Sequence, residues 1–490
     1  MANLSADRLA GLNSWYADWR GLRVAVLGLG VTGFSVADTL AELGSEVRVI
    51  AGSNDPDRER LLEVIGADFF AGDEEAMLRS LIEFDPHLMV ISPGFYPGNP
   101  FDAWAVENDV AVWGDIDLAW RVRDKVHAAE WLCVTGTNGK TTTTQLAAHM
   151  LLAAGKRVAP VGNIGVPVLD AVRDPAGFDV LVVELSSFQL ARVRDIEPHA
   201  SVCLNIAADH IDWHGSFEQY IADKANVFER TKAACIYNRA DDNTLRMVEN
   251  ADVREGARAV SFGLDVPPVS GFGVVEGLLA DRGYHQERKT SALEIVTLTE
   301  LQERGLLQPH TIENILAATA LVRSLDIDPA AIREAILGFT PDRHRCELVA
   351  VADDVRWVND SKATNAHAAR ASLATSESIV WIVGGLLKGV DISELIAKNA
   401  NRLRAAIVIG AEQTAVTEAF AQMAPDVAVY PIAARAGLPV MLEAVAKAQQ
   451  LAKAGDTVLL APAAASMDQF ASYADRGEQF VAAVREIVAG

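Results

Sequence analysis

The residues best suited to chemistry lie between Trp131 and Thr144, in WLCVTGTNGKTTTT. A short apolar run ends in a glycine-rich turn, followed by Lys140 and Thr141 and then by an apolar-periodic segment that reads as a helix. Phosphate chemistry uses each part. Gly136 and Gly139 let backbone N–H groups turn toward an anion, and a helix N-terminus adds a favourable dipole. Lys140 suits the terminal phosphates, and the Thr141 hydroxyl suits Mg²⁺. Thr137, Asn138 and Thr142 complete the lining of such a loop. The full phosphate-loop pattern has a glycine where Val134 stands, so TGTNGKT is a shortened form. A glycine-rich turn with a chance Lys-Thr is the competing reading. The strand–turn–helix context favours ATP.

A second glycine motif comes earlier, in Gly28-Leu29-Gly30-Val31-Thr32-Gly33, between the apolar LRVAV and a helical pattern. Such a turn suits a dinucleotide, but the acid expected after the next strand is replaced by Ala51-Gly52-Ser53. A pyrophosphate-bearing ligand other than NAD fits better, held by Gly30, Val31 and the Thr32 hydroxyl. HLMVISPG ends a further strand at Ser92, Pro93 and Gly94, which would face the same crevice.

Metal-binding candidates follow the phosphate loop. Glu184 ends the apolar strand of FDVLVVELSSFQL, where a carboxylate suits Mg²⁺ but also fits a surface acid. Asp209, His210, Asp212 and His214 cluster after the strand SVCLN, with His210 the favoured ligand. Asn163 follows another strand, and Asn314 opens an amphipathic helix over 310–325. Lys224, in YIADKANVFER, reads by itself as a lysine on a solvated helix face. Further on, Arg343-His344-Arg345 is a basic cluster suited to phosphate or to the surface. Lys362, Thr364, Lys388 and Ser466 each follow a predicted strand, a set suited to a small dicarboxylate or an acidic amino acid.

These groups need elements to position them. With 490 residues, about three domains of ordinary size are expected. Alternating valine-rich strands and helical patterns define an α/β protein: a Rossmann-like domain over 1–126, a phosphate-loop ATPase domain with a mostly parallel sheet over 127–340, and a second Rossmann-like domain over 341–490. The weakly patterned stretch 265–308 reads as small β-structure covering the nucleotide side. A formal charge of −23 argues against a nucleic-acid partner. Four scattered cysteines fit a reduced cytoplasmic chain without a thiolate metal site. The N-terminus does not read as a signal peptide, and no apolar run approaches the ~18 residues of a membrane span.

TGTNGKTTT, GNIG, ELSSFQL, the DHxDxH cluster, HxxxN, NDSKATN, GGxxKG and AAASMDQF occur here in the order found in the Mur ligases, which the chain resembles over nearly its whole length. NDSKATN, GLGVTG and the Ser-Pro-Gly turn are most similar to the D-glutamate-adding branch; the diaminopimelate-adding DNPR motif is missing. The resemblance implies an ATP-dependent amide ligase acting on UDP-N-acetylmuramoyl-L-alanine and D-glutamate in peptidoglycan synthesis, as a monomer. A folylpolyglutamate synthase is the alternative, but folate ligases lack the GLGVTG domain.

It further implies two Mg²⁺ ions, with Thr141, Glu184, His210 and a CO₂-carbamylated Lys224 as ligands, and Lys140, His210 and Lys224 as catalytic. Asn163 and His210 would meet the uridine substrate. Asn314, Arg345 and Asp360 would serve ATP, and Lys362, Thr364, Lys388, Ser466, Met467 and Tyr473 would bind D-glutamate. Three positions depart from the family pattern. Thr311 stands in the HN pair, Leu386 replaces an acid in GGDGK, and Gly52-Ser53 leave the uracil contacts unassigned.

Overall fold

A computed structural model of the chain describes residues 6–340, 343–433 and 435–488. Pro341, at the expected start of the last domain, lies outside them. The described residues fall into two compact units: residues up to 206 with 213–339, and 207–212 with those from 340 onward. None of their helices is long and apolar enough to cross a membrane.

The first unit holds two sheets. In the first, β1 (Arg23–Leu27), β2 (Glu46–Ala51), β3 (Asp68–Ala71), β4 (Leu88–Ile91) and β5 (Ala111–Trp113) pair in the order 3-2-1-4-5, all parallel. The second has nine strands: β6 (Glu130–Thr135), β7 (Val158–Gly162), β8 (Val180–Glu184), β9 (Ala200–Cys203), β10 (Ala234–Asn238), β11 (Arg258–Phe262), β12 (Gly271–Val275), β13 (Leu278–Asp281) and β14 (Leu293–Thr297). Their order is 14-13-12-11-10-9-6-8-7, antiparallel only at β12–β13 and β13–β14. The β-structure expected over 265–308 is therefore an extension of the sheet edge. It lies beyond β9, β10 and β11 from β6, and so does not cover the phosphate loop as a separate layer.

The second unit holds β15 (Glu347–Ala352), β16 (Val355–Asn359), β17 (Ile379–Gly384), β18 (Leu403–Ile409), β19 (Ala428–Pro431) and β20 (Thr457–Leu460), in the order 15-16-20-17-18-19. Only β15–β16 is antiparallel.

Central strands such as β6 and β8 are buried on both faces, which is why they read as unbroken apolar runs. In the helix Lys140–Ala153 the first residue is followed by four threonines, poor helix formers that cost roughly 0.5 kcal/mol each. Leu146, Met150 and Leu151 are fully buried against a core shared with Leu316 and Leu321 of the helix Pro309–Arg323. At about 1.5–3 kcal/mol for each large side chain, packing outweighs propensity and fixes the helix behind its loop.

Candidate active site

Parallel register brings the chemistry to one sheet edge. Val134 of β6 pairs with Glu184 of β8, Gly162 of β7 pairs with the same Glu184, and Thr135 pairs with Cys203 of β9. The turns after these strands therefore converge where open parallel sheets bind ligands, outside the carboxyl ends of the strands. Gly136 (φ 143°) and Gly139 (φ 86°) take up conformations that L side chains avoid. At Gly139 a Cβ would also lie 2.4 Å from Asn314 Oδ1, so the helix bearing Asn314 abuts the loop. Thr143 Oγ1 donates to the same oxygen at 3.3 Å. Gly139 caps its helix without a side chain, leaving the first-turn amides to an anion.

Lys140 Nζ folds back onto the loop, donating to Gly136 O at 2.8 Å and Thr137 O at 2.9 Å. Asn205, just past β9, holds the other side. Its Oδ1 accepts from Asn138 N at 2.9 Å, its Nδ2 donates to Asn138 O at 3.1 Å, and its carbonyl accepts from Thr137 N at 2.8 Å.

Glu184 is 1% exposed. Asn163 donates to its Oε1 at 2.8 Å, whereas Oε2 is buried without a hydrogen-bond partner among the described residues. An unpartnered buried carboxylate oxygen fits a hard cation, whose ligands are oxygens. Lys224 is not on a solvated face: it is 2% exposed. Its Nζ donates to Gly136 O at 3.0 Å and Thr135 Oγ1 at 3.3 Å, and it lies 5.0 Å from the centre of the Tyr220 ring. Tyr220, one turn earlier on the helix Phe217–Ala225, shares a 2.8 Å hydrogen bond with Thr137 Oγ1. Among the described residues, no three His, Cys, Asp or Glu side chains form a metal cage. His210 belongs to the second unit, with Nε2 3.7 Å from Asp209 Oδ1.

The two motifs of the first sheet meet as expected. A Cβ on Gly28 would stand 2.8 Å from Ser92 Oγ, and one on Gly33 would strike Gly28 O at 2.0 Å, so the glycine turn closes directly against the Ser-Pro-Gly turn. Gly30 precedes the helix Val31–Glu42, with Val31 exposed and Thr32 half-buried. Pro93 and Gly94 reach the surface of the same turn.

In the second unit, Leu386 and Ala465 exchange backbone hydrogen bonds at 3.0 Å, joining the loops that carry Lys388 and Ser466. Lys362 Nζ lies 3.9 Å from the centre of the Tyr473 ring, and Ser361 Oγ donates to Tyr473 O at 2.8 Å. Lys388 and Met467 are exposed, Thr364 is half-buried and Ser466 is buried. Asp360 is buried, which pushes its pKa up; it accepts from Ser372 Oγ, and from Cys346 N at 3.2 Å. Arg345, next to Cys346 in the chain, is partly buried. Arg476, overlooked in the sequence, is the knot of this region. Fully buried, it donates to Ser361 Oγ and O and to Ala464 O at 2.9–3.1 Å.

Asn205 and Tyr220 were also overlooked. Tyr220 had a legible signal, since a four-residue spacing puts it on the Lys224 face of the helix. Asn205 had only its place just past a strand.

Fold and loop together define a phosphate-loop α/β protein. The chain belongs to the Mur ligase family: 134–322 match the Mur ligase middle domain, and 344–464 match the Mur ligase, glutamate ligase domain. The UDP-N-acetylmuramoylalanine–D-glutamate ligase of Leifsonia xyli subsp. xyli is 55% identical, over 99% of this chain and 96% of its own. The protein of the same name from Streptomyces avermitilis is 48% identical, over 96% and 99%. The crystal structure of UDP-N-acetylmuramate–alanine ligase from Thermotoga maritima superposes with a TM-score of 0.55 at 18% identity, covering 95% of this chain and 99% of that one. That last likeness is one of fold.

Proposed function

We propose that this chain is an ATP-dependent carboxylate–amine ligase that adds D-glutamate to UDP-N-acetylmuramoyl-L-alanine in peptidoglycan precursor synthesis. Near-full-length identity of 55% to a relative named for that reaction carries the reading. The site geometry supports it independently through the unpartnered Glu184 oxygen beside the phosphate loop.

In this reading, 1–126 bind the uridine substrate, 127–340 bind ATP and 341–490 bind D-glutamate, as three domains of a cytoplasmic monomer. Gly30, Val31, Thr32 and the Ser92-Pro93-Gly94 turn receive the diphosphate end of the substrate, with Asn163 and His210 toward its reacting end. The loop amides from Gly136 to Thr142, together with Lys140, receive the ATP phosphates, with Asn314, Arg345 and Asp360 as further ATP residues. Lys140 would exchange its loop carbonyls for phosphate oxygens. Thr141, Glu184, His210 and the carbamate of Lys224 would hold two Mg²⁺ ions. Bound there, Mg²⁺ offsets the charge gathering on the transferred phosphoryl group.

Carbamylation joins Lys224 to CO₂ in two proton losses: the ammonium gives up one proton to become the attacking amine, and the new C–N bond forms with loss of a second, so a cation becomes an anionic oxygen ligand. The L-alanyl carboxylate attacks the γ-phosphorus and ADP leaves. The D-glutamate amine, held by Lys362, Thr364, Lys388, Ser466, Met467 and Tyr473, adds to the acyl phosphate. The tetrahedral intermediate then expels phosphate, and the amine loses its proton. A bare carboxylate is a poor electrophile, and phosphorylation supplies its leaving group.

The test is ADP release with each component omitted in turn. Turnover is expected only with UDP-N-acetylmuramoyl-L-alanine, D-glutamate and Mg²⁺ together. Equal turnover with L-glutamate, or with a folate acceptor, would overturn the reading.

A further inference from the structure

A buried polar chain runs between the segment leaving Glu184 and the helix carrying Lys224. The His214 side chain has no exposed surface. Its Nδ1 lies 2.6 Å from Asp223 Oδ2, and its Nε2 lies 2.9 Å from Ser187 Oγ. A carboxylate only accepts, so Nδ1–H donates to Asp223, while Nε2 and the Ser187 hydroxyl share the second hydrogen bond. Gln219 Nε2 donates to the other Asp223 oxygen at 2.9 Å. Aromatic rings fix the imidazole in place. Phe188 stacks on it at 5.7 Å between ring centres, and Trp213 and Tyr220 meet it edgewise at 4.5 and 5.2 Å.

Ser, His and Asp wired in this order resemble a hydrolytic triad. Burial argues against that role, since Ser187 is 4% exposed and the imidazole is sealed. The chain is built to hold a distance. One end grips the segment Leu185-Ser186-Ser187, which leaves β8 immediately after Glu184. The other end grips Asp223, the residue before Lys224. The same helix is tied to the phosphate loop through Tyr220 and Thr137. The turn of helix leading to the lysine is thus tied at two residues, Tyr220 and Asp223.

We propose that His214 is a positioning residue that sets the spacing between Glu184 and Lys224. The inference rests on the reading of these two as Mg²⁺-binding groups. Metal ligands depend on the partners behind them, and losing one such partner typically weakens binding 10–100-fold.

The test compares the full-length wild type with His214→Phe, which keeps a ring but loses both hydrogen bonds, and with Ser187→Ala and Asp223→Ala. Mn²⁺ binding is titrated by electron paramagnetic resonance, and the Lys224 carbamate is read by ¹³C NMR in labelled bicarbonate. His214→Phe is expected to weaken Mn²⁺ binding about tenfold and to diminish the carbamate resonance at fixed bicarbonate. The kcat should fall while the KM for D-glutamate holds. The double variant with Asp223→Ala should be no worse than His214→Phe alone, because both break one chain. His214→Gln, which can reach both partners, should recover part of the loss.

Wild-type Mn²⁺ binding and a full carbamate signal in His214→Phe would overturn the inference, as would additive effects in the double variant. If His214→Phe does not fold, Ser187→Ala decides by the same two readouts: a loss supports the inference and no change overturns it. A wild-type enzyme with no carbamate resonance would instead overturn the reading beneath it, and this inference with it.

Discussion

The side-chain amide of Asn163 donates to Glu184 Oε1 at 2.8 Å, while Glu184 Oε2 stays buried with no hydrogen-bond partner among the described residues. Parallel pairing of β7 and β8 enforces the contact, since Gly162 is in register with Glu184 and Asn163 N donates to the Glu184 carbonyl at 2.9 Å. One oxygen is oriented and the other is left for a cation. Glu184→Gln should therefore fold at least as stably, because a neutral amide is cheaper to bury. Turnover should fall about 100-fold or more, the scale of a lost electrostatic contact in a transition state. Thermal melting and ADP release measure the two effects. Asn163→Ala should need about tenfold more Mg²⁺ for half-maximal turnover.

Lys224→Ala should abolish turnover, and a short carboxylic acid or bicarbonate should restore part of it. The lysine is buried against Thr135, Gly136 and Tyr220, so truncating it leaves a space among them for a small anion. Full activity without additive would refute the carbamate role; steady-state rates with and without acetate decide it.

Asn205→Ala removes both side-chain hydrogen bonds to Asn138 but leaves the backbone bond to Thr137. Losing them should cost about 1–3 kcal/mol of stability. The looser loop should raise the KM for ATP more than it lowers kcat. Urea denaturation and ATP-dependent kinetics separate the two.

Asp115 supplies a pH signature. Burial raises its pKa to about 6, against the hydrogen bond it accepts from Gln189 Nε2 at 3.0 Å. A carboxyl group with a raised folded-state pKa binds its proton more tightly in the native state. Its contribution to stability is present below the ordinary aspartate pKa of about 4, and is lost as pH rises through about 6. Asp115→Asn keeps an acceptor for Gln189 and does not titrate. The melting temperature of the variant should therefore gain on the wild type between about pH 4 and pH 6, and the gap should stay constant above that. A gap that closes with rising pH would contradict this account.

Much of the site was legible because its signals are local. Gly136, Gly139 and Lys140 carry their chemistry within one turn, and Glu184 ends a strand whose apolar run is unmistakable. Lys224 shows the opposite case. Its segment alone reads as a solvated face, and only packing of the helix Phe217–Ala225 against the loop turns it inward. Arg476 reads as the polar face of an amphipathic helix. Its three acceptors come from loops more than ten residues away, and burial pushes its pKa down to about 9. The departure at Leu386 also becomes intelligible. The loop is held there by backbone hydrogen bonds to Ala465, and the side chain is 42% exposed.

The sequence by itself determined the α/β class, the phosphate loop and the strand-end residues, because hydrophobic period and glycine conformation act over a few residues. The tertiary structure decided which strand ends are neighbours. It set Glu184 beside Val134 and Gly162, turned Lys224 toward Gly136, and joined Ser187 to Asp223 through His214. Those relationships depend on sheet order and register. Both come from packing the whole core, and no stretch of chain contains them.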